Sequence, residues 1–338
     1  MTEPAQPAAA KRNLARTAIR LLGPLLLIVV LWRLDDPAAL YRSVRDANIP
    51  LLLLAVALNP LNIHLKVVRW RVMLRQRQIH YPLKRAWLAF LTGAYLAMLT
   101  PGRVGDVLRV QYLKRDLDVP YPEGLASVVM DRFCDLYVLA AFVGVAAVHF
   151  GPILAPELAW ATWLCVIGTV VGPLVFLLPG LPEKILGRVF RTVGARFGGL
   201  EGGFQRFFTA LRANFGWSLT VTLPLTALAF LVNYVQGAMI ASAMGIDVTF
   251  FDVTCLLAIA SLLGLLPISL SGVGVREAFF AVVFPALHST AEQGVSFGLL
   301  VFAVIYIAIT VAGFIAWQIA PPPIGAAVGN DQRAVAPP

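Results

Sequence analysis

The sequence predicts an all-α integral membrane protein with about six transmembrane helices and two re-entrant helical hairpins in an inverted-repeat-like arrangement. Three observations carry this. The 338 residues are 59% hydrophobic and 13% charged, with a mean hydropathy of +0.79, whereas soluble domains are about 45–50% apolar. Apolar runs of about 20 residues, the length that crosses a hydrocarbon core of about 30 Å, recur along the chain. Two further apolar regions are each broken near the middle by Pro and Gly, and carry charge at the break.

Taken in order, the spans fall near 17–34, 50–66, 124–149, 158–179, 218–244 and 294–319. The first follows Lys11, Arg12, Arg16 and Arg20, as a signal peptide would. Trp32-Arg33-Leu34-Asp35-Asp36 offers no small-residue cleavage site, so the run is read as a retained helix. Residues 1–16 and 321–338, rich in Pro and Ala, are expected to be disordered tails around one polytopic domain, 17–320. The broken regions, 86–113 and 253–287, leave arms of roughly 12–16 residues that reach about 18–24 Å, too short to span.

Charge then orients the chain. Segments 66–85 and 180–217 are rich in Lys and Arg and are expected on the cytoplasmic side, while 35–49, 150–157 and 245–252 balance or lack them and face outside. Both termini are then cytoplasmic, and the two hairpins enter from opposite faces. Eight or more full spans would satisfy the same charges. The net charge of +9 is accounted for by these loops and does not call for nucleic acid. Cys134, Cys165 and Cys255 lie singly in apolar runs, and no His, Cys or acid spacing suggests a metal or cofactor.

The candidate site lies at the breaks. Irregular backbone at membrane depth is tolerated where it is buried in protein or lines a wet cavity. The first break contains Arg103, Gly105, Asp106 and Arg109; the second contains Gly272, Gly274, Arg276 and Glu277. Helix N-termini opening at the glycines would present free N–H groups to an anion, and arginine can hold a phosphate through paired donors. Asp131, Arg132 and Asp135 open the span 124–149, with the two acids on one helical face. Either they form an interfacial ion pair, or Asp131 and Asp135 balance the arginines when substrate is absent or carry a coupling proton. Asn59, Asn62, Asn233 and Gln236 are read as interhelical hydrogen-bonding residues.

Four stretches resemble, in order, a known family. Thr100–Arg109 is similar to its P-(G)-R-x-G-E/D-x-x-R signature. Arg69-Trp70, Met130–Leu136 and Ser271–Ala278 resemble its other motifs. The family is that of the lysylphosphatidylglycerol synthase transmembrane region, or flippase-like membrane proteins. Asp106 and Asp131 stand where the family usually has Glu, and Ser271 replaces a glycine. The resemblance implies a stand-alone, multi-pass protein of a bacterial inner membrane that moves lipid and lacks the aminoacyltransferase domain of larger members.

The expected function is therefore translocation of a lipid with an anionic or phosphate headgroup between leaflets. In it Arg103 and Arg276 clamp the phosphate, aided by N–H groups around Gly105 and Gly274. Asp106, Asp131, Asp135 and Glu277 balance charge, and Arg109 and Arg132 orient them. The expected partners are that lipid, the bilayer and a second copy of the chain. The alternatives are an intramembrane enzyme acting on a lipid-phosphate headgroup and a scaffold for envelope-lipid synthesis enzymes.

Overall fold

The structure, a computed structural model, describes residues 27–29, 31–32, 37–100, 105–151, 160, 163–164, 166–168, 171, 200–265 and 272–322. The expected spans 17–34 and 158–179, both tails, Cys165, Arg103 and the break residues 101–104 and 266–271 lie wholly or mainly outside these. The described residues are helical and connect through short turns, as an all-α integral membrane protein requires.

A short helix α1 (Pro37–Arg45) precedes α2 (Ile49–Ala57), which is capped by Asn48 accepting the Leu51 N–H at 3.2 Å. One residue later α3 (Asn59–Gln76) begins, with Pro60 in the first turn, where its missing N–H leaves no bond unmade. Ile49–Gln76 thus forms a 28-residue stretch long and apolar enough to cross a membrane. The expected span ended at residue 66; helix continues ten residues further, so the start of the basic segment 66–85 is helix, not loop. The first broken region becomes α4 (Leu83–Leu99) and α5 (Leu108–Leu117), followed by the 29-residue α6 (Tyr121–His149).

In the second half α7 (Leu200–Ala213) lies on α6, and α8 (Leu219–Ala243) is the next membrane-length helix. Helices α9 (Phe250–Leu263) and α10 (Val275–Val283) flank the second break. The last long stretch, Ala291–Ile319, comprises α11 (Ala291–Val301), a π-helical turn at Phe302–Ile307 and α12 (Ala308–Ile319). At 1.5 Å per residue, α4, α5, α9 and α10 reach about 25, 15, 21 and 13 Å, each less than a hydrocarbon core.

The packing interchanges when the halves are exchanged. Helices α3 and α8 lie along each other at the centre. Helix α4 packs on α12 as α9 packs on α6, and α5 packs on α6 as α10 packs on α11. Within each broken region the arms touch one another, α4 with α5 and α9 with α10. Buried aromatic and aliphatic side chains, among them Phe280, Phe284 and Phe297, fill the second half, while Leu53, Val148, Val282 and Ile315 are exposed on the outside, where a bilayer accommodates them.

Candidate functional site

The first break is organised by Thr100 and Gly105. The Thr100 hydroxyl donates to the Leu96 carbonyl (2.7 Å) and accepts the Gly105 N–H (2.9 Å). A Cβ on Gly105 would sit 2.1 Å from Ala97 N, so glycine is what lets α5 begin against the backbone of α4. The turn that follows aims Asp106 and Arg109 at α6.

There they join a buried ionic network. Arg69 of α3 holds Asp131 (Nη2–Oδ1 2.6 Å) and Asp135 (Nη1–Oδ1 2.5 Å), and also donates to Thr226 Oγ1 of α8 (2.8 Å). Arg109 donates to the other Asp131 oxygen (3.0 Å), with its guanidinium over Trp70 and Phe90. Arg132 pairs with Asp106 (3.0 Å) and Asp135 (3.3 Å). Three arginines thus face three aspartates. Arg69, Arg109 and Asp131 are fully buried, whereas the Arg132 and Asp135 side chains are 31% and 19% exposed, so the network runs from a dry end to a wet edge.

That edge forms one wall of a cavity of about 250 Å³. Lys66, Arg132 and Asp135 line it from the first half, and Phe230, Asn233, Ser261 and Tyr306 from the second. Met98, before the first break, and Gly264 and Leu265, before the second, also reach it. The cavity therefore lies between the ends of α4 and α9. Asn62 crosses behind it, donating to the Ala229 carbonyl (2.6 Å) and to Asn233 Oδ1 (3.0 Å).

The second break is built differently. Gly272 and Gly274 take φ of +85° and +88°, a conformation that glycine adopts without strain. Glu277 turns back to accept the Gly274 N–H (2.6 Å) and pairs with Arg276 (Nη2–Oε1 2.5 Å). The Arg276 guanidinium lies over Phe302 and Tyr306 of the π-helical turn, at 5.4 and 5.5 Å. Arg276 is 3% exposed and sits behind Tyr306, which itself reaches the cavity.

The expected residues are thus only partly brought together. Asp106, Arg109, Asp131, Arg132 and Asp135 meet in one network; Gly272, Gly274, Arg276 and Glu277 form a second cluster; Arg103 lies outside the described residues. The N–H groups of Gly105 and Gly274, expected to be free for an anion, are both taken by the chain's own oxygens. Sequence reasoning left Arg69 and Lys66 out of the site as members of a cytoplasmic basic run. Yet Asn59, Asn62, Lys66 and Arg69 follow i, i+3, i+7, i+10, one face of a helix, and that spacing marks them as facing inward.

The chain is similar in sequence to proteins that include membrane proteins. "Glycosyltransferase AglD" of Haloferax volcanii is 26% identical over 309 residues, covering 79% of this chain and 48% of that protein; the chain spans about half of that relative's length. A UPF0104 membrane protein of Methanothermobacter thermautotrophicus is 22% identical over 276 residues, 77% of this chain and 80% of that one. Another UPF0104 membrane protein, from Pyrococcus horikoshii, is 24% identical over 183 residues, 51% of this chain and 54% of that one. Residues 20–313 match the family described as the lysylphosphatidylglycerol synthase TM region, and with most of the chain inside that match, the protein belongs to this family.

Proposed function

We propose that this protein is a lipid translocator of a bacterial inner membrane that moves a lipid with an anionic or phosphate headgroup between leaflets. The observation that carries the proposal is the cavity between the two breaks, walled on one side by the wet edge of a charged network. A charge at the bilayer centre costs at least about 2.5–3.5 kcal/mol, and a polar cavity that replaces the headgroup's water lowers that barrier while the tails stay in lipid. Arg132 and Lys66 are the phosphate contacts on the cavity wall; Arg103, the clamp expected from the sequence, lies outside the described residues. Arg276, held by Glu277, keeps the second break in shape. The interchangeable packing of the halves supports a repeat with α4–α5 and α9–α10 as re-entrant hairpins, and the Lys/Arg-rich segments support both termini being cytoplasmic.

The test is movement of a fluorescent phosphatidylglycerol between leaflets of reconstituted vesicles, with the lipid weighed by mass spectrometry before and after. Wild type moves the lipid with its mass unchanged, and Arg132→Ala slows it at least tenfold. A glycosyltransferase-named relative favours a second reading, an intramembrane enzyme on a lipid-phosphate headgroup. A changed lipid mass without leaflet movement would put that reading in place of translocation.

A further inference from the structure

The exchange of halves that holds for packing fails for chemistry at the cavity. Its first-half wall is ionic, with Lys66, Arg132 and Asp135. The second-half wall carries no charged side chain among the described residues; its polar members include Asn233 of α8, Ser261 of α9 and Tyr306 of the π-helical turn. None of these three is fully buried. The Ser261 and Tyr306 hydroxyls bond to no described residue. Asn233 Oδ1 accepts from Asn62 Nδ2, whose other donor bond goes to the Ala229 carbonyl, so the Asn233 amide plane is held and its Nδ2 is left for the cavity. Phe230 adds an aromatic ring beside them. Two hydroxyls that donate and accept and one amide that donates, spread over one wall, complement hydroxyls, which do both.

We infer that the cavity takes a two-part headgroup: a phosphate against Arg132 and Lys66, esterified to an uncharged polyhydroxyl group, a polyol or a sugar, against Asn233, Ser261 and Tyr306. The volume of about 250 Å³ suits a phosphate with one small polyol or one ring. A quaternary ammonium has no donor for this wall, and a bare phosphate leaves it unpaired, so both bind more weakly. The inference rests on the cavity being a lipid-headgroup site, as proposed above, and deepens it.

The experiment measures occupancy of the full-length protein in mild detergent by native mass spectrometry. Four short-chain lipids that share the phosphate are the probes: phosphatidylglycerol and phosphatidylinositol carry hydroxyls, phosphatidic acid has no further group, and phosphatidylcholine is quaternary. Wild type is expected to bind one or both hydroxyl-bearing lipids at least tenfold better than the other two. Preference for phosphatidylglycerol names a polyol, and preference for phosphatidylinositol names a ring. Tyr306→Phe and Ser261→Ala each delete one hydroxyl and keep the packing, and each cuts the preference ratio about fivefold. The ratio is read within each variant, so the yield of folded protein drops out. Equal binding of all four lipids by wild type overturns the inference, as does a ratio that survives the double variant. Hydroxyl preference without leaflet movement in vesicles refutes translocation and leaves the headgroup assignment standing; movement indifferent to the headgroup does the reverse.

Discussion

Asp131→Asn removes one negative charge from the driest part of the molecule while keeping its shape. Asp131 has no exposed surface and accepts from two fully buried guanidiniums, Arg69 at 2.6 Å and Arg109 at 3.0 Å. Arg69 keeps Asp135 as a counter-ion. Arg109 retains only the Asp106 carbonyl at 3.3 Å and the faces of Trp70 and Phe90. Breaking a buried pair by removing one partner costs about 3–5 kcal/mol, because an uncompensated charge is left in low dielectric. That is roughly a 150- to 5,000-fold change in the folded-to-unfolded ratio. Removing Arg109 as well, as Arg109→Met, takes away the stranded charge, and replacing buried pairs by apolar groups is often close to neutral. The double variant is therefore expected to be more stable than Asp131→Asn alone. Unfolding titrations in detergent on the wild type, the two single variants and the double variant close the cycle. Strict additivity, or a loss under about 0.5 kcal/mol for Asp131→Asn, would refute the idea that Arg69, Arg109 and Asp131 form the dry, charge-balanced end of this network.

Other expectations follow from single contacts. Gly105→Ala places a Cβ 2.1 Å from Ala97 N and 2.2 Å from Leu96 C, both backbone atoms that cannot swing away; loss of folded protein on size-exclusion chromatography is expected, while Gly168→Ala, with nothing within 4 Å, elutes like wild type. Arg276→Lys gives up the paired contact with Glu277 and much of the stacking on Phe302 and Tyr306, so the melting temperature falls, and Arg276→Lys/Glu277→Gln, which leaves the buried ammonium without its carboxylate, falls further. Burial, and then the hydrogen bond to Asp116 (2.8 Å), push the Tyr81 hydroxyl above the ordinary range for tyrosine. A raised pKa means that its contribution is full below the unfolded value of about 10 and disappears as pH rises through the folded one. Melting temperature measured from pH 8 to 11 should fall more steeply for wild type than for Tyr81→Phe.

Composition specified a membrane protein, since no soluble core could bury so much apolar surface, and apolar runs of about 20 residues made it all-α. The two Pro/Gly breaks and the shared face of Asp131 and Asp135 were also legible, because turn residues and helical spacing act over a few positions. Arg69 was not. Its acids lie 62 and 66 positions downstream, and a Lys/Arg-rich run behind an apolar segment reads as an exposed loop until tertiary packing supplies the partners. The fate of Arg276 was half legible: a glutamate three residues after Gly274 is the pattern of a carboxylate folding back onto a helix start, and it competes with any anion for the same N–H. The aromatic faces under Arg276 come from a π-helical turn, for which local sequence carries no signal, in a segment some 30 residues further on.

The cavity itself is the most direct point of attack. Ala94 of α4 lines it with a side chain that ends at Cβ, so Ala94→Phe fills space between the two breaks while every member of the ionic network keeps its own side chain. The measurement is the rate at which a fluorescent phosphatidylglycerol changes leaflet in vesicles holding equal amounts of wild type or Ala94→Phe. Translocation through the cavity predicts a rate at least tenfold lower for the filled variant. Equal rates would mean that the lipid headgroup does not pass between the breaks.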